Sequence, residues 1–131
     1  MTGVQTCALP ILLLAVNDAS NTRKAVKYGV RVAQAFDLFT TAVTVSETAD
    51  SRENCKKASA WADKFLRRSG VENEIRLEYG RFMEIMSTIA GDNHIIVMGS
   101  STKSPLAKFF TGSKPLKVMK HCKCPVLIVK E

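Results

Sequence analysis

The residues best suited to chemistry in this sequence are the glycines, hydroxyl residues and lysines that follow the apolar run Ile95–Met98. Gly99 ends that run, a loop of small hydroxyl and basic residues follows, and Gly112 and Ser113 offer a helix start. Glycine lets the backbone approach a ligand closely, and the N–H groups and dipole at a helix N-terminus favour negative charge. The stretch 95–113 therefore predicts an anion-binding loop between a strand and a helix.

The positive charge of the chain is concentrated around this loop. Residues 99–131 contain seven lysines and one acidic residue, Glu131, whereas residues 1–98 contain 12 Lys and Arg against 11 Asp and Glu. Two interpretations stay open: a solvated lysine-rich face, or a field that attracts phosphate to the loop. A nucleic-acid partner is not expected, because only Phe109 and Phe110 interleave with these lysines.

Length and composition predict one soluble globular domain in the cytoplasm. The chain has 131 residues, of which 46% are hydrophobic and 24% charged, and no apolar stretch approaches the ~20 residues of a membrane span. Residues 1–10 fit no structural element and look like a translated sequencing-adapter leader, so we exclude them from the fold. The expected domain covers residues 11–131, and the natural protein could be longer at its start.

The cysteines and histidines predict neither a metal site nor catalysis. The segment His121–Cys124 resembles a metal clip, but no second pair of ligands with zinc-site spacing accompanies it. His94 lies at the start of a strand, at the end away from the loop, and His121 has no partner suggested by spacing. Because no general base or nucleophile is placed by the sequence, an enzyme with substantial turnover is the least expected function.

Hydrophobic periodicity predicts a three-layer, doubly wound α/β fold. Apolar or β-branched runs predict five parallel strands, at Ile11–Val16, Thr40–Val45, Val71–Tyr79, His94–Met98 and Pro125–Val129. Helical spacing predicts four helices, at Thr22–Phe36, Arg52–Arg68, Phe82–Ala90 and from Ser113 onward. The apolar stripe predicted for the first helix ends with Phe36.

Three segments together resemble the universal stress protein family: Ile95–Ser100, Leu106–Ser113 and Cys124–Val129. The resemblance covers residues 11–131. The family's nucleotide signature is glycine, two residues, glycine, nine residues, glycine, then Ser or Thr, and its four places are taken here by Gly99, Thr102, Gly112 and Ser113. The resemblance implies an adenine nucleotide alpha-hydrolase-like fold with strand order 3-2-1-4-5.

The resemblance also implies a site for ATP, with Mg²⁺ as its companion ion. By position, the adenosine side would be lined from the end of the first strand and the start of the second, at Ala15, Asn17, Asp18 and Thr40. Ribose and phosphates would be enclosed by Met98, Gly99, Thr102, Gly112, Ser113, Lys114 and Pro115.

Three positions differ from the family pattern. Asn17 stands where an aspartate is usual, with Asp18 adjacent; Thr102 stands at the second signature glycine; and Lys114-Pro115 replace small or hydroxyl residues. The Cβ of Thr102 restricts positive φ, and Pro115 removes one N–H donor, while Lys114 adds a positive charge.

Three functions therefore remain open. The first is a regulatory module that binds ATP or a related adenine nucleotide, with at most slow ATP hydrolysis, and acts as a stress-response switch. The second is a nucleotide-free, partner-binding homodimer formed through the apolar strand Val126–Val129. The third is the cytosolic domain of a membrane transporter whose upstream part is missing.

Overall fold

The computed structural model describes residues 9–17, 22–100 and 124–130. In chain order, the elements are β1 (Ile11–Val16), α1 (Thr22–Phe36), β2 (Thr40–Ser46), α2 (Arg52–Arg68), β3 (Asn73–Tyr79), α3 (Phe82–Ile89), β4 (His94–Ser100) and β5 (Val126–Lys130). A 3-10 turn, Ala49–Ser51, leads into α2. The described residues thus contain three α-helices, and the fourth predicted helix, from Ser113, lies outside them.

The five strands form one parallel sheet in the order β3-β2-β1-β4-β5, which confirms the predicted strand order. β1 lies at its centre and pairs with β2 on one side and β4 on the other. Leu14, for example, is level with Ala42 of β2 and with Val97 of β4. A strand enclosed in this way must be apolar on both faces, which explains the uninterrupted run of β1.

Alternate residues of β1 enter two separate cores. Leu12 and Leu14 belong to a buried cluster that includes residues of α1 and α2. Leu13 and Ala15 belong to a second cluster, where Met86 of α3 is fully buried. Helices therefore contact both faces of the sheet, and the complete three-layer arrangement stays a prediction because the fourth helix is not among the described residues.

The bounds of α1 and α2 agree with the prediction, but one predicted core residue of α1 is wrong. Phe36 is 65% exposed, while Thr22 at the other end of the helix is buried. The cause is the position of Phe36 in the last turn. The next residue, Asp37, has a positive φ and ends the helix, and Ala33 is the last buried residue of the stripe.

The ends of four strands also differ from the prediction by one or two residues: β2 ends at Ser46, β5 covers Val126–Lys130, and β3 and β4 differ as follows. β4 continues beyond Met98 through Gly99 to Ser100, because β5 pairs with it as far as Lys130. β3 begins at Asn73, since the amide of Val71 donates to Leu66 at the end of α2 and cannot join the sheet. Hydrogen bonds to neighbouring strands decide these ends, and periodicity does not show such bonds.

The two edge strands differ in chemistry. β3 carries Glu74, Arg76 and Glu78 on one face, with an ion pair of 3.0 Å between Arg76 and Glu78. β5 is apolar except for Lys130 at its end, and its Leu127 is 42% exposed. Charged side chains discourage strand pairing at an open edge, so only the β5 edge has the composition of a pairing surface.

Helices α1 and α2 end in the same hydrogen-bonded turn. The Leu38 amide donates to the Ala33 carbonyl at 2.9 Å, and the Val71 amide donates to the Leu66 carbonyl at 3.0 Å. Each turn requires one residue with positive φ, here Asp37 (φ 56°) and Gly70 (φ 72°). Asp is one of the few side chains that tolerate this region.

A polar contact joins α2 to β3. Asp63 of α2 accepts hydrogen bonds from Arg67 Nε at 2.8 Å and from Asn73 Nδ2 at 3.1 Å, both on its Oδ1 atom. The hydrogen bond from Arg67, followed by that from Asn73, lowers the pKa of Asp63 below its usual value of 3.8. Both bonds favour the charged carboxylate.

This pKa shift predicts a small acid-dependent loss of stability. Because the folded pKa is depressed, the stabilisation is fully present above the unfolded value of 3.8 and is lost as pH falls through the lower folded pKa. Since the pair is partly solvated, we expect less than about 1 kcal/mol. Carboxyl NMR titration should place the Asp63 pKa below 3.8, and Arg67→Gln should raise it. An unchanged pKa in the Arg67→Gln protein would contradict this assignment.

Candidate functional site at the carboxyl edge of the sheet

The strand order places a topological switch point between β1 and β4. From β1 the chain proceeds outward to β2 and β3, and then crosses to β4 and β5 on the other side. α1 follows β1 on one face, whereas α3, which precedes β4, packs on the other. Ligands of open α/β sheets bind outside the carboxyl ends of the strands at such a point. The edge between β1 and β4 is therefore the candidate site.

Four predicted site residues lie at this edge. Ala15 and Met98 are in one buried cluster, each one residue beyond the paired Leu14 and Val97. Asn17 follows β1 directly and is exposed, and its backbone N–H donates to Thr22 Oγ1 at 3.0 Å. Gly99 is half-buried within β4. The buried pair thus forms the wall, and Asn17 and Gly99 are the residues a ligand could reach.

Thr40 lies at the other end of the sheet. It opens β2, pairs with Leu12, and is fully buried. Thr44 is the residue of β2 that is level with Val16 at the end of β1. The structure therefore does not bring Thr40 together with the other predicted site residues.

Sequence reasoning instead missed the residues that close β2. Val45 and Ser46 follow Thr44 and extend β2 to the carboxyl edge. The sequence contained the information needed to find them. Parallel strands bring their carboxyl ends to one edge of the sheet, and Val45 and Ser46 end the strand that Thr40 begins. Ser46 is already engaged, since its Oγ donates to the Thr48 carbonyl at 2.9 Å and is 2.7 Å from Ser51 Oγ.

The electrostatics of the edge are asymmetric. Glu47 Oε2 accepts a hydrogen bond of 2.9 Å from the Phe82 amide, which puts a carboxylate at the N-terminus of α3. The turn before α2 is closed by a capping box between Thr48 and Ser51. A helix N-terminus held by a carboxylate does not attract a second anion. Among the described residues, anionic groups of a ligand are thus disfavoured beside β2 and β3, and the β4 side stays open to them.

The remaining predicted site residues lie outside the described part of the chain. They are Asp18, Thr102, Gly112, Ser113, Lys114 and Pro115. His121, Cys7 and Cys122 also lie outside it, whereas Cys55 and Cys124 are buried. His94 accepts a hydrogen bond from the Gly91 amide on Nδ1 at 3.0 Å, which gives it a structural contact in the turn before β4.

The described residues contain neither a metal-binding cluster nor a membrane-spanning helix. Within ranges 9–17, 22–100 and 124–130, no three or more His, Cys, Asp or Glu side chains group closely enough to hold a metal ion. None of the helices described has the length and apolarity that a membrane crossing requires.

Two buried hydroxyls in β2 generate a stability prediction. Thr40 Oγ1 and Thr44 Oγ1 have no hydrogen-bond partner among the described residues. Valine has the same shape without the polar atom, so Thr40→Val and Thr44→Val should each raise the free energy of unfolding by about 1 kcal/mol. Urea denaturation measures this, with Thr41→Val, in the same strand, as the matched control. A loss of stability in either variant would show that the hydroxyl has a partner.

The fold is shared with solved universal stress proteins. A universal stress protein crystallised in complex with cAMP superposes with a TM-score of 0.72 and 20% identity, covering 93% of this chain and 98% of that chain. The protein from Archaeoglobus fulgidus in complex with dAMP gives 0.66 and 16% identity over 94% and 98% of the two chains. A family member from Arabidopsis thaliana with AMP bound gives 0.67 and 15% identity over 93% and 92%. At these identities the likeness concerns the fold.

Sequence comparison identifies the family. No curated protein matches the chain. The model of the universal stress protein family matches residues 66–130, which run from the end of α2 through β5. With the strand order and the matching solved folds, this match shows that the chain belongs to the universal stress protein family.

Proposed function

We propose that this chain is a regulatory module that binds an adenine nucleotide at the carboxyl edge between β1 and β4. The observation that carries the proposal is the meeting of Ala15, Asn17, Met98 and Gly99 at the switch point. The nucleotide signature of the sequence begins at Gly99. Related folds have been solved with cAMP, dAMP and AMP, which supports an adenine nucleotide as the ligand class.

Within this proposal, ATP is the specific ligand and Mg²⁺ its companion ion. The adenosine part lies beside Asn17, and the phosphates extend toward the lysine-rich residues 99–131. The carboxylate of Glu47 at the N-terminus of α3 supports this orientation, because it repels phosphate from the β2 side. Mg²⁺, when bound with ATP, would partly neutralise the negative charge of its phosphates.

We propose that the nucleotide acts as a regulatory switch and is not a substrate that is rapidly turned over. Nucleotide binding at the edge between β1 and β4 changes the affinity for a partner, in the cytoplasm and in response to stress. The functional domain is residues 11–131, and residues 1–10 are a non-native leader. A ligand shifts such an equilibrium only by its differential affinity for the two states.

Calorimetric titration of the full chain with ATP and Mg²⁺, with AMP and with GTP tests the site. We expect saturable heat with the adenine nucleotides at tens of micromolar protein, and at least ~10-fold weaker binding of GTP. Absence of heat with every adenine nucleotide would reject the proposal.

Three variants sharpen the same prediction. Thr102→Gly restores the signature glycine and should tighten ATP binding by roughly 3-fold or more, because it removes a Cβ. Gly99→Val introduces a branched side chain and should weaken binding at least ~10-fold, while its β-propensity suits β4. Thr40→Val should leave the affinity unchanged, since Thr40 lies at the other end of the sheet. If Thr40→Val weakened ATP binding while Gly99→Val bound ATP normally, the ligand would lie elsewhere.

A second candidate function is a homodimer that pairs its sheets through the last strand, Val126–Val129. The supporting observation is the apolar β5 at the edge of the sheet, with Leu127 exposed. A dimer could bind partners with or without nucleotide.

Light scattering tests the dimer. We expect twice the chain mass of 14.4 kDa at working concentration, and a shift to the monomer in Leu127→Lys, because a charge at an open edge opposes strand pairing. Glu74→Lys, on the β3 edge, is the matched control and should stay dimeric. A wild-type chain that is monomeric at high concentration would contradict this candidate.

A further inference from the structure

A cleft of about 210 Å³ opens at the amino edge of the sheet. It lies opposite the edge proposed for the nucleotide, since its residues end α1 and α2 and precede β2 and β3. Its lining consists of Ala33, Gln34, Asp37, Leu38, Phe39, Gly70, Val71 and Glu72. The cleft is therefore separate from the proposed nucleotide site.

Two equivalent turns build the walls of the cleft. Leu38 and Val71, buried beneath the two helix ends, form an apolar floor. Gln34 Nε2 donates to the Ser69 carbonyl at 2.9 Å and so joins the end of α1 to the end of α2. This hydrogen bond connects the two helix ends that form the walls, and the buried Leu38 and Val71 anchor both turns in the core. The cleft is therefore preformed.

The charge of the walls is negative. Asp37 and Glu72 contribute carboxylates, and the eight described lining residues include no Lys or Arg. Both α1 and α2 end here, and a helix C-terminus carries a partial negative charge. The last turn of α2 carries two arginines that do not line the cleft: Arg67, which is paired with Asp63 at 2.8 Å, and Arg68. The chain has a net charge of +7, but the described side chains that line this cleft carry only negative charge, which favours a cation there.

An aromatic ring distinguishes the cleft from a simple acidic surface. Phe39 lines it and is 39% exposed, although its chain neighbours Leu38 and Thr40 are buried. The face of an aromatic ring attracts organic cations, and it attracts a strongly hydrated metal ion much less. The described residues also lack any grouping of three or more metal-ligating side chains. Ring, apolar floor and two carboxylates together fit a cationic group on an aliphatic stem.

We propose that this cleft binds an organic cation, a guanidinium or ammonium group on a short aliphatic stem, between Asp37, Glu72 and the ring of Phe39. The stem lies over the floor formed by Leu38 and Val71. The cationic head contacts the two carboxylates and the helix ends. Two sources offer this chemistry: a free small molecule, or an Arg or Lys side chain of a peptide.

NMR titration of the full chain with n-butylguanidinium tests the proposal. We expect saturable shifts of the Leu38, Gly70 and Val71 amides in the millimolar range, with at least ~10-fold weaker binding of n-butylurea, which has the same shape without the charge. No saturable shift, or equal binding of n-butylurea, overturns the proposal.

A double variant assigns the carboxylates. Asp37→Asn with Glu72→Gln should weaken n-butylguanidinium binding at least ~5-fold, and Asn tolerates the positive φ at residue 37. Asp50→Asn with Glu53→Gln removes the same charge at the start of α2, away from the cleft, and should bind as the wild type does. Thermal unfolding should show that both proteins are folded. Equal binding by the two double variants overturns the assignment.

Titration with an arginine-containing peptide distinguishes the two sources of the cation. Tighter binding of acetyl-Gly-Arg-Gly-amide than of n-butylguanidinium indicates a peptide ligand, and supports the proposal with that source. Equal or weaker binding of the peptide indicates a free small molecule, and supports the proposal with the other. Neither result depends on nucleotide binding, so the two sites can fail independently.

Discussion

The parallel pairing of β1 on both of its sides is the constraint on which the rest of the structure depends. A central parallel strand has neighbours in its own plane and helices over both faces, so every side chain must be apolar. Leu12, Leu13 and Leu14 are fully buried for this reason. The same pairing fixes the heights of β2 and β4, and so determines which residues reach each edge. Both candidate sites follow from that register.

Register is also what separates the predictable from the unpredictable part of this fold. The bounds of α1 and α2 follow from helical spacing and turn formers, which are local properties. Gly99 was predicted to leave the strand, but its pairing with Val129 keeps it in β4. Thr40 was predicted to lie near the adenine. It lies at the amino end of β2, level with Leu12, whereas the candidate site is at the carboxyl end. Long-range pairing was the missing information in both cases.

The core shows a similar limit. Periodicity identified the buried face of α1 but extended it by one turn to Phe36, because a helical pattern does not reveal where the facing sheet ends. Val45 and Ser46 were missed for a different reason: they end β2 at the candidate site, but they belong to no sequence motif. The carboxylate of Glu47, which joins the β2 exit to α3 across 35 residues of sequence, could not be inferred from any local signal.

The two edges of the sheet have opposite electrostatics by construction. Each βα unit sends its helix N-terminus to one edge and its C-terminus to the other, so partial positive and partial negative charges separate across the domain. Side chains then modify that field. Glu47 neutralises part of the carboxyl edge, while Asp37 and Glu72 strengthen the amino edge. One small domain thereby offers chemically distinct surfaces at its two ends.

The charged flank of β3 has a consequence for assembly. A sheet with two open apolar edges can add further sheets at both ends without limit, as fibrils do. Here Glu74, Arg76 and Glu78 give the β3 edge a charged border, which opposes strand pairing. In the dimer proposed through β5, a charged strand would then lie at each outer border, and the joining of sheets would stop after two copies. The asymmetry of the two edges would make that proposed assembly finite and closed.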